Sequence, residues 1–140
     1  MSATTANAVA VAFAGAAVPK CVLYTVEKTY VCLDDATADV DTVKVARNYV
    51  VIMLGSGVMK GDTITLLAGS AVQGDLDALT TVTMTDAQVT GNVTALKTFT
   101  MTNSQVDRNV WAGTTGTLTN SHVGRNMSVG TTSILEPGSY

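Results

Sequence analysis

The chain has 140 residues, enough for one domain with a small appendage, a formal net charge of -3, one His and two Cys. Hydrophobic residues make up 46% and charged ones 14%, and the prominence of Thr, Ala, Val and Gly favours strands and tight turns over a helical core. Without clustered Lys and Arg there is no electrostatic footprint for nucleic acid.

The first segment, MSATTANAVAVAFAGAAVPK, has an apolar centre but no basic stretch before it. Its apolar run is shorter than the roughly 20 residues a membrane-spanning helix needs, so a soluble protein without a signal peptide is expected. Val9, Val11 and Phe13 alternate with Ala8, Ala10, Ala12 and Ala14, the period of a strand with one weakly apolar face. Such an arm orders only by packing on the rest of the chain or on a neighbouring copy. Val9, Val11 and Phe13 are therefore interface candidates.

KCVLYTVEKTYVCLDD (20–35) reads as two strands broken near Glu27 and Lys28. Cys21 and Cys32 fall opposite each other near the base of that hairpin, within disulfide reach if their side chains share a face. Reduced, buried thiols fit a cytosolic protein equally well. One His and this Cys pair cannot complete a tetrahedral zinc site. The next stretch, DDATADVD (34–41), lacks the alternating oxygen ligands, turn Gly and terminal Glu of a calcium loop. It reads as a solvated acidic loop, and no metal or other cofactor is expected.

From Ser70 to Pro137 the chain repeats every seventeen residues: SAVQGDLDALTTVTMTD, AQVTGNVTALKTFTMTN, SQVDRNVWAGTTGTLTN and SHVGRNMSVGTTSILEP. A fixed period of this size marks a repeat architecture. Each copy has Val third and a Gly or Arg followed by Asp or Asn fifth and sixth: Gly74-Asp75, Gly91-Asn92, Arg108-Asn109, Arg125-Asn126. Arg47-Asn48 and Gly61-Asp62 extend the pair series backward at intervals of 14 and 13 residues, which predicts about six coils with the first two shorter. The second half of each copy alternates, as in Thr81-Val82-Thr83-Met84-Thr85, so apolar columns point in and Thr columns out. Val72, Val89, Val106 and Val123, with Leu76, Val93, Val110 and Met127, form further inward columns, and bulky Phe99 lies over Gly116.

Stacked columns predict an all-β fold, a short β-solenoid (β-helix) with a perimeter of roughly 55 Å and a height of roughly 29 Å. The expected division is an arm and hairpin over 1–42, for anchoring or oligomerisation, and the solenoid over 43–140. The Gly/Arg–Asp/Asn pair is expected at a corner, because an inward Arg would be buried unpaired. Its Asp or Asn is expected to adopt left-handed geometry.

The phrases AVQGDLDAL and QVTGNVTAL resemble the repeats of bactofilins, over about residues 70–127. That resemblance implies a β-helix that polymerises end to end without nucleotide, in the bacterial cytoplasm. The residues before the solenoid, with their Cys hairpin, and the Arg at three corners depart from the family pattern. Short solenoids of this kind are also similar to viral capsid decoration proteins and tail spikes. A flat Thr array resembles the ice-binding faces of antifreeze proteins.

No catalytic constellation is expected. Asp75, Asp77 and Asp86 are scattered over one coil and replaced by Asn92, Thr94 and Asn103 in the next, while His122 has no carboxylate to orient it. Trp111 occupies a column otherwise made of Asp77, Thr94 and Ser128, an outward position that makes it an interface candidate. Arg108 and Arg125, one coil apart, are candidates for a partner's carboxylate. After Leu135 only Glu136 to Tyr140 follow, too little to cap a coil edge, so association is expected there and Tyr140 joins the interface candidates. The composite expectation is a non-enzymatic structural protein. It forms homo-oligomers, trimers for preference, on a larger assembly such as a tailed-phage capsid shell, with no nucleic-acid or membrane partner. Its place is then the virion surface after assembly in the host cytoplasm.

Overall fold

The computed structural model describes residues 10–135 apart from 16, 19, 34–35, 38–39 and 56, and none of the described residues is helical. Val9 and Tyr140 lie outside them. The winding starts with β1 (Ala10–Phe13), the hairpin strands β2 (Cys21–Tyr24) and β3 (Thr29–Cys32), then β4 (Thr42–Val45) and β5 (Val50–Met53). Next come β6 (Val58–Leu66), β7 (Ala71–Gln73) and β8 (Asp75–Thr85). Three-strand turns follow: β9 (Gln88–Val89), β10 (Val93–Ala95) and β11 (Thr98–Thr102), then β12 (Gln105–Val106), β13 (Val110–Ala112) and β14 (Thr115–Thr119). The last is β15 (His122–Val123), β16 (Met127–Val129) and β17 (Thr132–Leu135). Together they make a β-solenoid of about six turns.

Three walls enclose the core. The threonine wall stacks β1, β4, the second halves of β6 and β8, β11, β14 and β17, all parallel. The tryptophan wall stacks the first halves of β6 and β8 with β10, β13 and β16. The hairpin wall stacks β3, β5, β7, β9, β12 and β15 in parallel, with β2 added antiparallel at its N-terminal end. Because β6 and β8 run unbroken around one corner, the first two walls form a single 10-stranded sheet and the third a 7-stranded one.

The core columns follow the sequence alternation. On the threonine wall Val43, Ile64, Val82 and Phe99 stack in one inward column, and Phe13, Val45, Leu66, Met84, Met101 and Leu118 in the next, all buried. Val51, Val72, Val89, Val106 and Val123 fill the hairpin wall, and Met59, Leu76, Val93 and Val110 the tryptophan wall. Burial of each such side chain contributes about 1.5–3 kcal/mol, a gain no isolated coil could collect. Phe99 pairs with Gly116, and the room below is occupied: a Cβ on Gly116 would lie 2.5 Å from Met127 Cε and 2.8 Å from Val129 Cγ2.

The arm is the first strand of this core. Phe13 is fully buried, in edge-to-face contact with Tyr30 at 4.8 Å between ring centroids, and Tyr49 completes an aromatic plug over the N-terminal end. Phe13 is thus a core residue and not an interface one, while Val11 is half-buried against the same core. One hydrophobic cluster runs from Phe13 to Val123 with no break near residue 42.

Two expectations about the early coils are corrected by the strand register. Arg47-Asn48 and Gly61-Asp62 do not align with Gly74-Asp75; Asp75 instead pairs with Val58, and Gly61 with Ala78. Nor are the early coils short. Along the threonine wall, Ala10 pairs with Thr42, Thr42 with Thr63 and Thr63 with Thr81, offsets of 32, 21 and 18 residues, before the spacing settles at 17 from Thr81 to Thr98. The extra length falls between Phe13 and Thr42, which includes the hairpin, in the connection from β5 to β6, where the offset drops from 21 at Ile52 to 17 at Val58, and in a bulge beside Asp62.

The corners divide two tasks that the sequence pattern had merged. Left-handed backbone falls on Asp86, Asn103 and Asn120 (φ 47, 50 and 49), the last residue of each repeat, and on Asn48 (φ 66) at the equivalent corner. Asp75, Asn92, Asn109 and Asn126 stay out of that region and act through their side chains. Asp75 Oδ1 accepts from the Asn92 backbone N–H (2.7 Å), Asn92 Oδ1 from Asn109 (3.1 Å), and Asn109 Oδ1 from Asn126 (3.1 Å). Each side chain thereby ties its coil to the next.

Candidate assembly surfaces

The hairpin closes one end of its wall. Cys21 and Cys32 are directly opposed in the β2–β3 register and joined by a disulfide. The turn between them places Lys28 at φ 51, and Thr29 Oγ1 donates to the Glu27 carbonyl (3.0 Å). Alternation along β2 turns Leu23 toward the core and leaves Val22 and Tyr24 outside. Leu33 and Leu54, each just past a strand end, join them: the Leu33 N–H donates to Lys20, and the Leu54 N–H to Cys32, one coil further on.

The result is an apolar patch. Val22, Tyr24, Leu33 and Leu54 are each 44–56% exposed and, with Cys21 and Val31, line a shallow depression of about 380 Å³ in which Lys20 is the one charged lining residue among the described residues. Val26, 91% exposed, stands at the hairpin tip. Leu79, Leu96, Trp111 and Ile134 are also exposed, but the gathering of four large apolar side chains in one depression makes this the candidate association site. Sequence reading placed interface residues on the arm, at Val9, Val11 and Phe13, and missed these. The signal available was the run Val22-Leu23-Tyr24, apolar on both faces of a strand with only one face to bury.

Trp111 lies on its own wall, with Thr94 on one side and Ser128 on the other. It is 43% exposed, and its ring leans over Gly113, whose missing Cβ would sit 3.4 Å from the indole. The described strand of the arm, β1, pairs with β4 on the threonine wall and not with the strands around Trp111. Arg108 and Arg125 sit at successive turns of one corner, both exposed, the Arg125 N–H donating to the Arg108 carbonyl (3.1 Å). The structure brings these two together but sets them apart from the hairpin.

The threonine wall is longer than its repeats suggested. Thr42, Thr63, Thr81, Thr98, Thr115 and Thr132 form one continuous outward column, and Thr65, Thr83, Thr100 and Thr117 a second, flanked by Lys44 and Ile134. The three carboxylates weighed for catalysis are dispersed. Asp75 is engaged in the corner ladder, Asp77 faces out beside Thr94, and Asp86 occupies the left-handed corner. No helix among the described residues is long and apolar enough to cross a membrane. No family model, no curated protein and no solved structure matches this chain, so the likenesses to bactofilins, capsid decoration proteins and antifreeze faces rest on repeat pattern alone.

Proposed function

We propose that the chain is a non-enzymatic structural protein of the capsid-decoration kind. Its copies associate through the hairpin end into a homo-oligomer, a trimer for preference, seated on a larger protein shell, and the solenoid projects from it. The observation that carries this reading is the patch of Val22, Tyr24, Leu33 and Leu54, half-exposed and gathered in one depression at the hairpin end. Trp111 serves as a lateral anchor between neighbouring rods. The Cys21–Cys32 disulfide suits a surface that meets an oxidising exterior, such as that of a released virion, better than a cytosolic filament. Electron microscopy of the purified protein tests the proposal: discrete oligomers of one size support it, and spontaneous filaments overturn it.

Two other readings each have an observation of their own. End-to-end stacking in the bactofilin manner is favoured by the final coil, where β15, β16 and β17 each pair on one side only among the described residues. Ice binding is favoured by the outward Thr columns, three in number with Thr85, Thr102 and Thr119, regular at about 4.8 Å between strands. A thermal-hysteresis measurement at millimolar protein decides the latter, since absence of hysteresis removes it.

A further inference from the structure

We propose that the corner between the threonine and hairpin walls is a binding groove for an extended neutral oligosaccharide. Here the backbone turns through Gly69, Asp86, Asn103 and Asn120, and the buried residue after each is small, Ser or Ala. The consequence is an open trough of about 520 Å³ running along the rod across four coils, three steps of about 4.8 Å or roughly 14 Å. One rim carries the exposed side chains of Asp86, Asn103 and Asn120, the other those of Gln88 and Gln105.

The chemistry of this lining selects the ligand. Carboxamides offer a donor and an acceptor together, the combination that pairs with vicinal hydroxyls, and they stand on three of the four coils: Gln88, then Asn103 with Gln105, then Asn120 beside His122. No Lys or Arg lines the trough and one carboxylate does, which disfavours polyanions. A peptide adding as a strand needs free backbone groups, but those of the corner are spent between coils: Gly69 N–H on Asp86, Asp86 N–H on Thr102 and Asn103 N–H on Thr119.

An independent observation points the same way. Ser104 Oγ and Ser121 Oγ each accept a backbone N–H from the preceding coil and donate to a carbonyl two residues back. Ser70, 2% exposed and lining the same trough, has an Oγ with no hydrogen-bond partner. The preceding coil turns differently: the Tyr49 N–H is held by Ala46, and the Ala68 carbonyl accepts from Asn48. A buried hydroxyl without a partner is unfavourable, and at Ser70 it marks that end of the trough as the place where the corner's own hydrogen bonding is incomplete.

The inference does not depend on how copies assemble. Its test is a titration of the full ¹⁵N-labelled chain, followed by amide shifts, with maltohexaose, cellohexaose, laminarihexaose, mannohexaose and chitohexaose, and with hexagalacturonate and a dA hexamer as charged comparators. At least one neutral hexasaccharide is expected to shift the amides of 86–88, 103–105 and 120–122 and to leave the other walls unmoved. Asn103→Gly, which keeps the left-handed backbone, and Gln88→Ala, at an exposed position, should each weaken that binding about tenfold with the remaining spectrum intact. No shift at these amides with any neutral hexasaccharide at millimolar concentration overturns the proposal. So does tighter binding of the charged comparators, or affinity unchanged in both variants.

Discussion

Replacing Asn92 with Ala removes one rung of the corner ladder. Its Oδ1 accepts the backbone N–H of Asn109 at 3.1 Å and the Asn109 Nδ2 at 3.2 Å. Ala leaves the Asn109 N–H half-buried without a partner, a cost of about 1–3 kcal/mol. Since each coil touches only its neighbours, the loss falls on one inter-coil interface. Urea unfolding followed by circular dichroism should show it against Thr94→Ala, an outward change on the adjoining strand worth under about 0.5 kcal/mol. Asn92→Asp keeps an oxygen in place to accept these bonds, as Asp75 accepts the Asn92 N–H one coil earlier. It also sets two carboxylates about 4.8 Å apart, a repulsion of about 0.9 kcal/mol at the dielectric of water, which salt screens. The Asp variant should therefore recover most of the lost stability at high salt and less at low salt. If Asn92→Ala costs no more than Thr94→Ala, the ladder does not hold the coils together and the account of the corner is wrong.

Other consequences are open to direct measurement. Gly116→Val should lose about 1–3 kcal/mol by overpacking, read by the same unfolding curve, because Val129 on the facing wall has little room to move. Cys21→Ser with Cys32→Ser should cost about 2–3 kcal/mol, and hydrogen exchange should localise the loosening to the hairpin and its neighbour β5. A loss spread evenly over all coils would contradict that. Trp111→Ala should leave circular dichroism and melting close to those of the parent chain while raising the dissociation constant of the oligomer by about tenfold or more; unfolding would show that the indole is core.

The solenoid was legible because its alternation survives unchanged through the later repeats: Thr81-Val82-Thr83-Met84, Thr98-Phe99-Thr100-Met101 and Thr115-Gly116-Thr117-Leu118 stack residue on residue. The same alternation, in Thr42-Val43-Lys44-Val45 and Thr63-Ile64-Thr65-Leu66, was the sound guide to the early coils. The Gly/Arg–Asp/Asn motif misled there because Asp and Asn serve two corners for two reasons, tolerance of left-handed backbone at Asn48, Asp86, Asn103 and Asn120 and side-chain acceptance at Asp75, Asn92 and Asn109. A dipeptide does not say which. The aromatic plug was hidden for a different cause: Phe13 and Tyr30 belong to strands with no sequence likeness, Tyr49 lies just before β5, and only the stacking of β1 on β4 beside β3 and β5 brings them together. Because Phe13 is fully buried against Tyr30, removing residues 1–19 is expected to cost fold as well as any contact. The hairpin patch escaped because its parts, Val22, Tyr24, Leu33 and Leu54, join across a register that a sequence does not display.

The central claim is that the rod associates through that patch, and sedimentation velocity of the parent chain beside Tyr24→Asp and Leu33→Asp tests it most directly. Both substitutions are at half-exposed positions, so circular dichroism should be preserved. The parent is expected to sediment as one discrete oligomer, and each variant as a monomer. A parent chain monomeric at high micromolar concentration, or variants that assemble as the parent does, would contradict the account.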